Sequence, residues 1–167
     1  QWTDKSGNNR NATQTTQGNK PTATTNALVA NQGVVRFNAA SATYLNEDLS
    51  FLANSAYTIF AVEGRSATGN LYFLGTGTGA TNQALHVGYR NDTQYTLAQF
   101  GNDINATVPT YSGQQFRLWS NELDTSSGHY VYLNGNGIPV ATSADKNPMT
   151  AATAGVVGRG YNASNYF

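Results

Sequence analysis

The 167-residue sequence has no cysteine and few charged side chains. The lack of cysteine excludes a disulfide framework, a thiolate metal site and a cysteine nucleophile. Nine basic and nine acidic residues give a formal net charge of zero. The chain therefore lacks the basic excess that neutralises nucleic-acid phosphates or anionic lipid headgroups. No apolar run approaches the ~20 residues that span a bilayer. We expect neither nucleic-acid binding nor membrane insertion.

What the chain has instead is uncharged polar residues. Charged residues make up 11%, with 20 Asn, 21 Thr and 17 Gly among the rest, whereas an average domain is about 25% charged. Asn, Gly and Thr are weak helix formers, while Thr, Tyr, Phe and Val suit strands. This composition favours an all-β protein located outside the cell or at its surface.

Strand signals recur at short intervals from position 34 onwards. Apolar runs of four to seven residues alternate with Gly- and Asn-rich turns, the strongest being the Asn-Gly pairs of residues 134–137. Residues 45–53 could hold one helical turn, and residues 13–26 are expected to form a loop over a sheet. About nine short strands without repeats predict a single domain over residues 1–167, a two-sheet antiparallel sandwich or jelly roll.

Side-chain alternation along three of these strands predicts a binding face. If Leu85, Val87 and Leu118 point to the core, their neighbours point outwards. Exposed aromatic rings beside hydrogen-bonding groups suit sugars, because rings stack on the CH face and polar groups bind hydroxyls. The alternative is that the loop of residues 13–26 or a neighbouring subunit covers this face. The predicted carbohydrate-binding residues are His86, Arg90, Arg117, Trp119, Tyr130 and Tyr132.

The sequence contains no recognisable catalytic motif. The three glutamates are scattered, and HExxH, GxSxG and Walker motifs are absent. We therefore predict no enzyme activity, with a sandwich-class glycoside hydrolase as the remaining enzyme alternative. Asp103 and Asn105 could contribute to a Ca²⁺ site, which needs six to eight oxygen ligands, but an ordinary Asx turn explains the same spacing.

Several segments resemble a known family in the order in which they occur. They are residues 2–8 (WTDKSGN), 11–14 (NATQ), Pro21, 34–37 (VVRF), 58–62 (TIFAV), 132–135 (YLNG) and 157–160 (VGRG). They resemble the laminin G-like, concanavalin A-like jelly-roll domains of bacterial and archaeal surface proteins. The resemblance implies two antiparallel sheets and an extracellular module for carbohydrate binding or adhesion, in some members with calcium at the rim. It implies no catalytic residues.

The sequence departs from this family at both ends, where members usually have a further strand. A jelly roll without its first and last strands exposes sheet edges and core. Three explanations stay open: the chain is part of a longer protein, its edges are rearranged, or a neighbouring chain inserts a strand. The prediction is a non-enzymatic carbohydrate-binding or adhesion module with a glycan partner. The alternative is a structural subunit of an extracellular filament or surface layer that assembles by strand or edge pairing.

Overall fold

The computed structural model describes residues 1–76, 79–151, 154–161 and 165–167. Within these residues all regular structure is β-strand, apart from four single 3₁₀ turns. One of these turns, Ser50–Leu52, lies in the segment predicted to hold a helical turn. The described part of the chain contains no helix that could span a membrane. The all-β prediction is therefore confirmed.

Twelve strands are found in the described residues. They are β1 Thr22–Asn26, β2 Gln32–Arg36, β3 Leu45–Asp48, β4 Tyr57–Glu63, β5 Leu71–Thr76, β6 His86–Asn91, β7 Gln94–Ala98, β8 Ile104–Thr107, β9 Arg117–Asp124, β10 Gly128–Leu133, β11 Ala141–Ser143 and β12 Ala154–Val157.

These strands form three antiparallel sheets. The larger sheet has six strands in the order β3-β12-β5-β6-β7-β8, and the second has four in the order β11-β10-β9-β4. Strands β1 and β2 pair only with each other as a separate hairpin. Every strand pair is antiparallel, as the sequence predicted.

The turn after β10 follows from its Asn-Gly sequence. Asn134 and Gly135 have φ of 55° and 71°, and the Asn136 amide donates to the Leu133 carbonyl at 3.2 Å. Positive φ at both central positions is what a type I′ turn requires, and Asn and Gly are the residues that tolerate it. This turn returns the chain so that β11 pairs with β10.

The four-stranded and six-stranded sheets pack face to face in a sandwich-like arrangement. Tyr95 of β7 stacks on Trp119 of β9, with ring centroids 3.6 Å apart and planes 8° apart. Around this pair, Leu85, Val87 and Val131 are fully buried in the shared core. The predicted inward orientation of Leu85 and Val87 is therefore confirmed.

Three strands fall outside the predicted set, namely β1, β3 and β8. The β1 segment was expected to be loop, because its sequence TATTN carries no large apolar side chain. It pairs with β2 through five register positions while its side chains stay largely exposed. Threonine's β-branched side chain suits an extended backbone even where little is buried.

Strand β4 ends the four-stranded sheet, and its outer edge pairs with no other strand in the described chain. Ile59 and Ala61 point towards the core but are only half-buried. On the opposite face, Phe60 is 71% exposed and Val62 is 66% exposed. The edge of β4 and part of the core beside it are thus open.

Candidate functional site

The six predicted carbohydrate-binding residues do not share one face. His86 and Arg90 belong to β6 in the six-stranded sheet. The other four, Arg117, Trp119, Tyr130 and Tyr132, belong to β9 and β10 in the four-stranded sheet. The prediction that these strands present a single continuous face is therefore wrong.

The predicted orientation of β9 is also wrong. Trp119 has no exposed surface, and Arg117 is 8% exposed. Leu118, which was expected to point inwards, is 37% exposed on the outer face. Successive side chains alternate between the two faces of a strand. The prediction that Leu118 points inwards therefore assigned every side chain of β9 to the wrong face.

The buried carboxyl group of Glu63 explains why Trp119 and Arg117 of β9 point inwards. Its Oε1 accepts hydrogen bonds from the Tyr89 hydroxyl at 2.6 Å and from the Trp119 Nε1 at 2.9 Å. Its Oε2 accepts from the Arg65 amide at 3.1 Å, and Arg117 Nη1 donates to the Tyr89 hydroxyl at 2.9 Å. Burial raises the pKa of Glu63, and these hydrogen bonds offset part of that effect. The network satisfies polar groups that would otherwise be costly to bury.

His86 and Arg90 lie together on the outer face of the six-stranded sheet. Arg90 Nη2 lies 3.3 Å from His86 Nε2, and His86 Nδ1 lies 3.3 Å from the Ala84 carbonyl. Nε2 therefore accepts and Nδ1 donates, which is the hydrogen bonding of a neutral imidazole. Burial also lowers the pKa of His86. Arg90 is half-buried and His86 almost fully buried, so this predicted pair exposes little surface to a ligand.

Arg90 also binds both residues that were considered as calcium ligands. Its Nη2 forms an ion pair with the Asp103 carboxylate, and its Nε donates to Asn105 Oδ1 at 3.1 Å. The cation between these two side chains is thus a guanidinium group, and the pair as arranged does not fit a Ca²⁺ ion. Among the described residues no cluster of three or more His, Asp or Glu side chains could hold a metal ion.

Tyr130 and Tyr132 point away from the core, as predicted, and both are partly exposed. Their ring centroids lie 6.3 Å apart, with 25° between the ring planes. In register with Tyr132 across β9 lies Phe60 of β4, with Ser120 between them. We refer to the outer surface formed by Phe60, Tyr130 and Tyr132 as the aromatic face.

Polar side chains surround these rings. One row across the sheet aligns Thr58, Glu122, Tyr130 and Thr142, all with their side chains on the outer surface. The hydroxyl and carboxyl groups in this row can donate to or accept from a bound ligand. The aromatic face thus combines one exposed ring and two partly exposed rings with hydrogen-bonding groups on a paired sheet.

Phe60 was not among the predicted site residues. The run Tyr57–Glu63 is apolar on both faces, so hydrophobicity alone does not say which face is buried. The signal that could have placed Phe60 outside is Glu63, which shares a face with Ile59 and Ala61 and needs the buried donors of Tyr89 and Trp119. That signal is visible only once the partner strands are known.

A deep groove lies beside the aromatic face, between β4 and the β1–β2 hairpin. Its volume is about 1270 Å³, above the roughly 300–1000 Å³ of ordinary small-molecule pockets. Its apolar floor includes Ile59, Ala61, Leu71 and Phe73.

Comparison with known proteins identifies no relative of this chain. No protein-family model matches the chain, and neither the curated proteins nor the solved structures contain a significant match.

Proposed function

We propose that this chain is a non-enzymatic, extracellular carbohydrate-binding or adhesion module with a concanavalin A-like jelly-roll fold. The observation that carries the proposal is the aromatic face, where an exposed Phe60 and the partly exposed Tyr130 and Tyr132 share one sheet surface. This site includes Tyr130 and Tyr132 from the predicted set of six residues and adds Phe60.

Stacking on sugar rings is the interaction that the aromatic face supports. Neighbouring strands lie about 4.8 Å apart, so Phe60 and Tyr132, which are two strands apart, are separated by roughly 9.5 Å at the backbone. Apolar rings at this spacing can contact the CH faces of alternate sugar units of one glycan chain. Ser120 lies between them and can bind a hydroxyl group.

The low charge of the chain is consistent with a neutral glycan as the ligand. The nine acidic and nine basic residues leave no excess for attracting a strongly charged polymer. Glu122 lies beside Tyr130 in the polar row, whereas Glu63 is buried behind the sheet and bonded to Trp119. Glycoside hydrolysis usually uses a pair of carboxyl groups that flank the scissile bond, and Glu63 is not placed to act with Glu122 on a ligand at the aromatic face, which favours binding over hydrolysis.

Glycan-array binding of the purified chain, with and without Ca²⁺, tests this proposal. For the best glycan, Tyr132→Ala and Phe60→Ala should each weaken binding about tenfold, which is about 1.4 kcal/mol. The matched control is Phe51→Ala, since Phe51 is also an exposed aromatic residue (42%) but lies outside the aromatic face.

The control variant should keep the affinity of the unmodified chain. An unchanged affinity in a Tyr130→Ala/Tyr132→Ala double variant would refute the site, and the absence of any bound glycan would refute the function. Trp119→Ala is not a suitable test, because its loss of binding would reflect unfolding of the core.

A further inference from the structure

Strand β4 has an unprotected outer edge. It pairs with β9 on one side, and on the other side its backbone makes no backbone hydrogen bond to a described segment. Within the described residues, the one side-chain hydrogen bond to a carbonyl group of this strand comes from Asn121 Nδ2 to Ile59, at 3.4 Å. The sequence YTIFAVE contains no lysine or proline, the residues that commonly prevent edge pairing.

The core behind this edge is incomplete. Trp119 and Val131, on the neighbouring strands of the same sheet, have no exposed surface, whereas Ile59 and Ala61 are half-buried. The groove of about 1270 Å³ opens directly beside them. A further strand beside β4 would bury these side chains and pair the free backbone groups, which would be costly to bury without partners.

The opposite wall of the groove determines how large the occupant can be. The hairpin residues 32–38 face β4 across the groove. Asn26 Nδ2 donates to Gln114 Oε1 at 3.3 Å, and Gln114 Nε2 donates to the Gly64 carbonyl at 3.3 Å, so that one end is closed. An extended segment fits between the two walls, whereas the hairpin obstructs a whole second sandwich.

The charges around the groove indicate the chemistry of the occupant. Three acidic and three basic side chains line it, so their formal charges cancel. They are Asp4, Glu47, Glu63, Arg10, Arg36 and Arg65. A neutral, largely apolar groove is complementary to an uncharged segment.

We propose that this groove binds an extended, uncharged peptide segment of a partner protein, which adds to the four-stranded sheet as a fifth strand beside β4. The segment carries apolar side chains at alternate positions, which enter the core beside Ile59 and Ala61. It matches the seven residues of β4 in length, about 23 Å. Backbone hydrogen bonds supply affinity and the apolar pockets supply specificity, as in other cases of strand addition. Glycan binding uses the outer surface of the sheet, and the two proposed sites share Phe60, which also lines the groove.

The direct test is fluorescence anisotropy with a labelled acetyl-TVTITVT-amide peptide. It should bind the full chain, and a peptide with proline in place of the central isoleucine should bind at least tenfold more weakly, because proline removes a backbone donor. Ala61→Phe, which fills the groove, should weaken binding at least tenfold. Ala144→Phe is the control, because Ala144 is exposed and does not line the groove.

Hydrogen exchange of the unmodified chain gives a second readout that needs no variant. The peptide should slow exchange of β4 amides at least tenfold and leave β11, the other edge of the same sheet, unchanged. No peptide binding, or protection of β11 instead of β4, overturns the proposal. Protection of β4 that rises with protein concentration in the absence of peptide also overturns it, because the occupant is then a second copy. Ala61→Phe should keep the glycan affinity of the unmodified chain. A failure of peptide binding can then be distinguished from a failure of the proposed function.

Discussion

Replacing Trp119 by phenylalanine tests whether the Glu63 network determines the orientation of β9. The substitution keeps an aromatic ring on Tyr95 but removes the Nε1 donor that lies 2.9 Å from Glu63 Oε1. Losing a hydrogen bond to a charged group costs about 1.5–3 kcal/mol. The smaller ring leaves a cavity that costs roughly a further 1–2 kcal/mol. We therefore expect the free energy of unfolding to fall by about 2.5–5 kcal/mol.

Urea unfolding followed by circular dichroism measures this loss. Circular dichroism is preferable to fluorescence, because Trp119 is one of the two tryptophans of the chain. The matched control is Tyr132→Phe on the outer surface, which should change the free energy of unfolding by less than about 0.5 kcal/mol. Thermal midpoints should follow the same order, since 1 kcal/mol corresponds to about 2–4 °C in a chain of this size.

A double-mutant cycle separates the hydrogen bond from the cavity. In a Glu63→Leu background the carboxyl group is gone, so Trp119→Phe should cost less by about 1.5 kcal/mol or more. Strict additivity of the two substitutions would refute the idea that the carboxyl group and the indole stabilise each other. If Trp119→Phe alone lowered the free energy of unfolding as little as a surface substitution does, the burial of Trp119 would be refuted.

Three further predictions concern pH and backbone geometry. Burial raises the folded-state pKa of Glu63 above 4.5. The free energy of unfolding should therefore decline as the pH rises from 4.5 through that raised pKa. In urea titrations at a series of pH values, Glu63→Gln should remove this part of the decline. The Asp124 pKa is lowered to about 2, first by hydrogen bonds from the Ser126 side chain; an NMR titration should find it there, and its stabilising effect should be lost as the pH falls from about 4 towards 2. Gly88→Ala should destabilise the chain strongly in thermal unfolding, because Gly88 has a φ of +149° and a Cβ there would lie 2.3 Å from the Leu71 carbonyl oxygen, whereas Gly33→Ala, with open space around it, should change little.

The alternation of side chains predicted some faces correctly and others wrongly, for a physical reason. On β6, Val87 and Tyr89 are buried as the alternating pattern indicates. In the predicted run of residues 116–120, Phe116 and Leu118 share one face, and Arg117 and Trp119 share the other. Hydrophobicity within that short run favours the first pair for the core, but β9 continues to Asp124, and Leu123 on the Trp119 face is buried as well. The hydrogen-bond partners of Trp119 and Arg117 also favour the burial of that face. Those partners lie on β4 and β6, far away in sequence.

The composition and turn chemistry of the sequence determined the fold class. Few charged residues, many β-formers and an Asn-Gly turn are local properties, and antiparallel strands joined by tight turns follow from them. The tertiary structure decided which strands share a sheet, that Glu63 is buried beneath Trp119, and that Phe60 joins Tyr132 on one surface. These are long-range pairings, and a period of two along a strand cannot say which of its two faces meets the core. The same limit applies to the open edge of β4, since only the strand order shows that one of its sides has no partner.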